Sequence, residues 1–151
     1  MDKKDVRMID VTAKKETERL AVASARVNVS AETLQDIKKL QVPKGDVLTV
    51  AQTAGIMAAK NTPNLLPLCH PLLLSSAFID FKLHAKGNYI EVTATVTGTG
   101  KTGFEMEALT AVAVAALTIY DMCKMLDKSM TITDIHLLKK MGGNSGTCTA
   151  K

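Results

Sequence analysis

The sequence predicts an α+β fold: one domain in which an antiparallel sheet carries helices packed on one side. Two stretches, 79–84 and 90–97, alternate strictly between apolar and polar residues, and the AKGN segment between them is typical of a hairpin loop. Segments with helical spacing precede and follow this hairpin, and the longest runs from Phe104 to about Leu126. The 151 residues suffice for one domain with a single core.

The first half of the chain carries start signals for its elements. Residues 1–18 are charged and weakly periodic, which predicts a partly mobile arm. Val27 and Val29 alternate with polar neighbours and predict a short strand. Ser30 and Asp46 belong to the residue types that cap helices, so each is expected to begin one.

Proline and glycine interrupt the pattern twice. The segment 62–75 (TPNLLPLCHPLLLS) contains three prolines, so we expect it to be irregular or only briefly helical. Near the end, MTITDIHLL (130–138) predicts a last strand, and KKMGGNSGTCTAK (139–151) predicts a glycine-rich loop and tail.

Composition restricts the functional classes. A net charge of +4 and a pI near 9.0 favour a polyanionic partner. Aromatic residues are only 3% of the chain and do not interleave with its Lys and Arg, so a small molecule is favoured over nucleic acid. Cys69, Cys123 and Cys148 lack CxxC spacing, which argues against a disulfide framework or a zinc ribbon. The sequence has no secretory segment and no apolar run of about 18 residues, so we expect a soluble, cytoplasmic protein without membrane contact.

The stretch GTGKTG (98–103) raises the question of a nucleotide-binding P-loop. That motif needs a glycine five positions before Gly100, and Thr95 stands there. The preceding strand is half polar and belongs to a hairpin, whereas a P-loop strand lies in a buried parallel sheet. We therefore expect a strand-to-helix connection, with Lys101 at most an auxiliary phosphate contact.

Two groups of polar residues are the first candidates for chemistry. His70 lies between prolines that stiffen its loop, although an ordinary surface histidine is the simpler interpretation. Asp121 and Lys124 share one face of the longest helix. They are either an exposed ion pair or an acid–base couple in which each group changes the pKa of the other.

Two further groups add a geometric constraint. Glu105 and Glu107 lie in the first turn of the same helix, where carboxylates also stabilise the helix dipole. Along a helix, Glu107 and Asp121 are separated by roughly 21 Å, which is too far for one mononucleotide-sized ligand within one subunit. If both groups serve one site, two chains must build it.

Several lysines stand beside glycines, namely Lys44, Lys101, Lys139 and Lys140. An ammonium group next to backbone N–H groups can hold phosphate without a P-loop, although solvated surface charges are the alternative interpretation.

Four segments together resemble one family: KGDVL (44–48), LLPLCHPL (65–72), GTGKTGFEMEALTAVAVAALTIYDMCK (98–124) and LLKKMGGNSG (137–146). They are similar to the cyclic pyranopterin monophosphate synthases of molybdenum cofactor biosynthesis. The resemblance implies a ferredoxin-like subunit in a homohexamer, a trimer of dimers with active sites at dimer interfaces. It also implies a phosphorus–oxygen lyase that converts 3′,8-cyclo-7,8-dihydro-GTP to cyclic pyranopterin monophosphate and releases pyrophosphate. No cofactor and no metal site are implied.

The resemblance also implies roles for individual residues. Catalytic roles fall to Asp121, Lys124, Lys44 and His70. Substrate contacts fall to Leu68, Cys69, His70, Met106, Glu107, Glu105, Lys140 and Arg19. Among these, Lys44, Lys140 and Arg19 are expected to hold phosphates. Asp121 and Lys124 would move protons, while His70 with Glu107 would position the base-derived ring.

One departure and two alternatives accompany the resemblance. The family loop often reads GGKSG, but Asn144 replaces its lysine here. A non-catalytic nucleotide- or RNA-binding module is the main alternative, although Phe81 falls in the core register and the sheet is expected to lack a stacking platform. A metal enzyme using Cys69, His70 and Cys123 is a further alternative that no ligand spacing supports.

Overall fold

The structure, a computed structural model, describes residues 5–143 and 146–149. Its elements in chain order are β1 (Thr17–Asn28), α1 (Ala31–Lys38), α2 (Val47–Leu65), β2 (Leu74–His84), β3 (Tyr89–Gly100), α3 (Glu105–Cys123), β4 (Thr131–Met141) and β5 (Cys148–Thr149). If α1 and α2 count as one crossover and β5 is left aside, the order is the β-α-β-β-α-β of ferredoxin-like folds.

In the described part of the chain, one antiparallel sheet contains the strands in the order β2-β3-β1-β4-β5. The two central strands pair along their whole length, from Thr17 opposite Gly100 to Asn28 opposite Tyr89. The turn 85–88 closes the expected hairpin between β2 and β3. The predicted single-domain α+β fold is therefore confirmed.

The helices cover one face of the sheet, as expected. Alternate residues of the central strands point to this face and are fully buried: Ala21, Ala23, Val27, Ile90, Val92, Ala94 and Val96. Helix α2 approaches α3 closely at Gly55, where an added Cβ would lie 3.1 Å from the Ala111 carbonyl oxygen and 3.3 Å from the Ala115 Cβ. The small residues of the core thus permit close contact between backbones.

The opposite face of the sheet is partly open and carries mostly threonine and charged side chains. Phe81 packs against the core, as the register predicts. Phe78, however, lies on the open face opposite Thr95 with 57% of its surface exposed. Because successive strand residues point to opposite faces, Phe78 must face away from the core if Ile79 faces into it. The expectation that this face lacks an exposed aromatic side chain was therefore wrong.

Because distant strands pair, several strand boundaries differ from those expected from the sequence. β1 begins at Thr17, well before the short strand expected near Val27, because its pairing with β3 continues to Gly100. β4 continues to Met141 and pairs with β5, so part of the expected glycine-rich tail belongs to the sheet. Residues 5–16, which we call the leading segment, form neither helix nor strand.

The helix starts and the end of α2 agree with the expectations from the sequence. The side chains of Ser30 and Asp46 accept hydrogen bonds from the backbone N–H groups of Thr33 and Thr49, as expected for N-caps. Helix α2 continues through Pro63 to Leu65, so the first part of the proline-rich segment is helical.

Helix α3 is the one described helix that is long and apolar enough to cross a membrane by these two criteria alone. Half of its apolar window is buried inside the fold. The helix packs against α2 and against strands β1, β3 and β4, which is the position of a core helix. The strand before it is antiparallel to both of its neighbours, so the P-loop interpretation of GTGKTG is excluded.

Candidate active site

Three charged side chains meet at the C-terminal end of α3. Lys124 Nζ donates to Asp121 Oδ1 at 2.6 Å. Lys44 Nζ donates to Asp121 Oδ2 at 2.8 Å and to the Asp121 backbone carbonyl at 2.9 Å. Gly45, with φ of 103°, allows the tight turn that presents Lys44 just before α2. We call these three side chains the lysine–aspartate cluster.

The Asp121 carboxyl group is ionised at neutral pH. Hydrogen bonds from Lys124 and then from Lys44 lower the pKa of Asp121 to about 2. The same hydrogen bond to Asp121 raises the pKa of Lys124 above its ordinary value. A carboxylate held between two ammonium groups can accept a proton from a substrate, and a neighbouring ammonium can return one.

A second group of charges surrounds a cavity of about 670 Å³ near the other end of α3. Five cationic side chains line it: Lys14, Lys15, Arg19, Lys101 and Lys140. Lys140 Nζ donates to Glu105 Oε1 at 3.2 Å, which ties β4 to the first turn of α3. We call this space the cationic cavity, because its charge suits a polyphosphate.

The GTGKTG stretch orients Arg19 in the cationic cavity. Arg19 Nε donates to the Gly100 carbonyl at 3.1 Å, and a terminal guanidinium nitrogen donates to the Lys101 carbonyl at 3.3 Å. On the other side, a Cβ added to Gly143 would collide with the Arg19 guanidinium. The glycine at 143 therefore allows the guanidinium to approach the backbone closely.

A second cavity of about 680 Å³ adjoins the first, and its wall contains Thr102, Gly103 and Glu105, which line both. The other predicted substrate contacts line this space, which we call the ring cavity: Leu68, Cys69, His70, Met106 and Glu107. The residue at 107 is only 3% exposed. Burial first, and then the charge of Glu105, raise the pKa of Glu107 above its ordinary value.

A buried carboxyl with a raised pKa holds its proton more strongly than an exposed one, so Glu107 suits proton donation. The Cys69 thiol nearby also has a raised pKa, because of burial and then the charge of Glu107. That change disfavours the thiolate, which is the form in which a cysteine acts as a nucleophile.

The structure brings together eight predicted side chains in the two adjoining cavities and three in the lysine–aspartate cluster. It does not join the two sets within one chain, because they lie at opposite ends of the 19-residue helix α3. Within one chain, Lys44 lies in the lysine–aspartate cluster, apart from Arg19 and Lys140 in the cationic cavity. Among the described residues, no group of three His, Cys, Asp or Glu side chains is placed to hold a metal ion.

Comparison with known proteins shows the family of this chain. A family model described as "MoaC family" matches residues 8–143. The chain belongs to the MoaC family. The matched span includes every candidate site residue of both cavities and of the lysine–aspartate cluster.

Curated relatives are identical to this chain at more than half of the aligned residues, and each of those compared is named "Cyclic pyranopterin monophosphate synthase". A Clostridium perfringens protein is 58% identical over 92% of this chain and 88% of its own length. A Desulfitobacterium hafniense protein is 59% identical over 93% of this chain and 85% of its own length. A Listeria monocytogenes protein is 53% identical over 99% of this chain and 93% of its own length.

Sequence reasoning missed the part played by the leading segment. Arg7, Ile9 and Val11 line the ring cavity, and Lys14 lines both cavities. The early charged residues gave no periodic signal that could place them there. Asn144, the departure from the family loop, lies outside the described residues.

Proposed function

We propose that this member of the MoaC family is a cyclic pyranopterin monophosphate synthase of molybdenum cofactor biosynthesis. Its substrate is 3′,8-cyclo-7,8-dihydro-GTP and its second product is pyrophosphate. The observation that carries the proposal is the pairing of a ring-sized cavity with a cationic cavity, which fits a ring system joined to a triphosphate. The curated relatives carry the same name.

In this proposal the two cavities divide the substrate between them. The ring cavity receives the guanine-derived ring, which His70 positions and Glu107 contacts. The cationic cavity receives the triphosphate, which Arg19 and Lys140 bind. Arginine presents donors in a planar fork that suits phosphate oxygens, and the carbonyls of Gly100 and Lys101 hold this fork in place.

Groups that differ in proton affinity carry out the proton transfers of the ring rearrangement. The Asp121 carboxylate accepts a proton, the Lys124 ammonium returns one, and the Glu107 carboxyl supplies a further donor at the ring. Lys44 keeps Asp121 ionised by donating to it at 2.8 Å. This assigns Lys44 to the proton-transfer groups rather than to the phosphate contacts.

The phosphate step follows from the same assignment. A ribose hydroxyl oxygen forms a bond to the α-phosphorus while the bond from that phosphorus to pyrophosphate breaks. The electron pair leaves with pyrophosphate, and the hydroxyl proton passes to Asp121. The cationic cavity stabilises the departing charge.

A complete site in this proposal needs two chains. The lysine–aspartate cluster and the cavities are roughly 21 Å apart along α3, so the cluster of one subunit must face the cavities of another. An isologous dimer supplies two such sites, and three dimers form the homohexamer that we propose. We further propose a cytoplasmic location, in keeping with a biosynthetic enzyme for a small nucleotide.

A direct assay tests the proposed function. Purified protein is incubated with 3′,8-cyclo-7,8-dihydro-GTP, and both pyrophosphate and the fluorescent oxidised pterin are measured for wild type and for Asp121→Ala. We expect both products from wild type and neither from the variant. A wild type that binds the intermediate and forms no product would support a non-catalytic nucleotide-binding module instead.

A further inference from the structure

Lys14 occupies the boundary between the two cavities. Of the cationic side chains in the described residues, it is the one that lines both the cationic cavity and the ring cavity. Arg19, Lys101 and Lys140 line the first space alone, and Arg7 lines the second alone. A ligand that fills both spaces must pass the Lys14 side chain at the point where its ring portion joins its phosphates.

The leading segment is attached to the walls of both cavities at two positions shortly before Lys14. His70 Nε2 lies 2.8 Å from the Ile9 carbonyl oxygen, within hydrogen-bond distance. Lys101 Nζ donates to the Thr12 carbonyl at 3.0 Å. These contacts connect the segment to the wall of each cavity, because His70 lines the ring cavity and Lys101 lines the cationic cavity.

Two tight backbone contacts around the second attachment fix the path of the backbone into Lys14. The Thr12 N–H donates to Asp10 Oδ1 at 2.8 Å, and the Lys14 N–H donates to the Val11 carbonyl at 3.0 Å. Side chains of Asp that bond to the backbone two residues later are typical of tight turns. The position of Lys14 is therefore set by the turn, while its flexible stem leaves the ammonium free to reach a ligand.

The wall beside Lys14 also contains an unused hydrogen-bonding group. Thr17 lines the cationic cavity, and its Oγ1 is a buried side-chain oxygen without a hydrogen-bond partner in the described structure. Most buried polar side-chain atoms have a partner. A hydroxyl of this kind in the wall of a cavity that is lined by cations is suited to an anionic oxygen of a ligand.

We propose that Lys14 is a catalytic residue that binds the α-phosphate of the substrate and stabilises the charge that develops as pyrophosphate leaves. This inference rests on the proposed function, since the α-phosphate is where the base-derived portion and the triphosphate meet. Arg19 and Lys140 hold the outer phosphates deeper in the cationic cavity. Lys14 then acts on the one phosphorus whose bonds change.

The chemistry assigns a distinct task to this ammonium group. The bond that forms joins a ribose oxygen to the α-phosphorus, and the bond that breaks joins that phosphorus to the bridging oxygen of pyrophosphate. The hydroxyl proton passes to Asp121, and the electron pair leaves on pyrophosphate. Negative charge grows on the bridging oxygen and on the α-phosphate oxygens, where a positioned cation lowers the barrier.

The test compares Lys14→Ala and Lys14→Arg with Lys86→Ala, a matched loss of an exposed lysine in the 85–88 turn. Single-turnover pyrophosphate release is measured with enzyme in saturating excess over substrate. We expect release to slow roughly a hundredfold in Lys14→Ala, to recover in part in Lys14→Arg, and to stay unchanged in Lys86→Ala. A rate for Lys14→Ala within roughly twofold of wild type would overturn the inference.

A binding measurement separates this inference from the proposed function. GMP and guanosine differ by the α-phosphate alone, so ligand-observed NMR titrations with both report the contact without turnover. We expect the ratio of the affinity for GMP to the affinity for guanosine to fall roughly tenfold in Lys14→Ala and to persist in Lys86→Ala. If wild type releases no pyrophosphate, the proposed function fails, and the GMP advantage still decides whether Lys14 binds this phosphate. An unchanged advantage in Lys14→Ala would overturn the contact.

Discussion

Lys44 and Asp121 are 77 residues apart in the sequence, and their side chains meet at 2.8 Å. Two local features produce this contact. Gly45 turns the backbone after Lys44, and Asp46 caps α2 immediately afterwards, so the lysine extends from a fixed turn toward the end of α3. Lys44 thereby adds a third charged group to the Asp121–Lys124 pair, which the sequence alone shows as two charges at i, i+3 spacing.

The first prediction concerns the carboxylate of the lysine–aspartate cluster. Asp121→Asn keeps the shape of the side chain and removes its charge, so it cannot accept the substrate proton. We expect turnover to fall by roughly 10²–10⁴-fold with little change in thermal stability, because the side chain is exposed. Asp134→Asn is the matched control, since Asp134 is also an exposed carboxylate in an ion pair, with Arg26 at 3.5 Å. Equal loss of activity in both variants would contradict the assignment.

A second prediction concerns the pKa of Asp121. Lys44→Met removes one of the two lysine donors that lower this pKa to about 2, so the pKa should rise toward 3.8. The stability that the ionised carboxylate contributes is present above the pKa of the unfolded state and is lost as pH falls through the pKa of the folded state. Loss of Lys44 should move that loss to higher pH. Carbon-13 NMR titration of the Asp121 carboxyl measures the change, and an unmoved titration would show that Lys124 alone sets the pKa.

The third prediction uses the buried carboxyl of the ring cavity. The folded pKa of Glu107 is raised above 4.5, so the folded state holds this proton longer than the unfolded state does. Stability is then greatest below the unfolded pKa and falls as pH rises through the folded pKa, by about 1.4 kcal/mol for each tenfold difference in proton affinity. Glu107→Gln cannot ionise and should gain stability relative to wild type as pH rises above 4.5, while losing activity.

Thermal unfolding at pH 4, 6 and 8 provides the comparison for Glu107→Gln. Glu32→Gln, which removes an exposed carboxylate in the first turn of α1, controls for the general loss of one charge. A stability difference between Glu107→Gln and wild type that stays constant with pH would show that burial does not govern this group.

A fourth prediction concerns Gly143 and the orientation of Arg19. A Cβ at position 143 would collide with the guanidinium, and the backbone φ of 73° is itself strained for any other residue. We expect Gly143→Ala to weaken binding of inorganic pyrophosphate by roughly tenfold, because a charge-assisted hydrogen bond to phosphate is lost. Gly146→Ala is the control, since Gly146 also has a positive φ of 63° but has open space around its Cβ position. Isothermal titration calorimetry with pyrophosphate should therefore separate the two variants.

Local signals in the sequence predicted much of the fold. Alternation gave the β2–β3 hairpin, and short polar side chains gave the starts of α1 and α2, because these signals act between near neighbours. The full extent of β1 depends on β3, about 70 residues away, and no local pattern at Thr17–Glu18 indicates that pairing. Phe78 was missed because it lies just before the alternating stretch 79–84, and only strand pairing shows that β2 begins earlier, at Leu74.

The candidate site was predicted unevenly for a similar reason. The resemblance named Asp121 and Arg19, yet Lys44 reaches Asp121 from 77 residues away, and the backbone carbonyls of Gly100 and Lys101 orient Arg19. The leading segment gave no signal at all, since its place over the cavities depends on hydrogen bonds made by His70 and Lys101. The distance between the two ends of α3 was the exception, because helix geometry alone predicts that two chains must build the site if both ends serve it.

The most direct measurement of this account is complementation between two inactive variants. Asp121→Ala lacks the lysine–aspartate cluster, and Glu107→Ala lacks the carboxyl of the ring cavity, so each homo-oligomer should be inactive. Mixed oligomers contain some interfaces with one fully intact site. After co-refolding or co-expression, with hybrids verified by native mass spectrometry, we expect roughly a quarter of wild-type pyrophosphate release, since half of randomly formed dimers are hybrids with one intact site of two. Verified hybrids without activity would contradict a site shared between two chains.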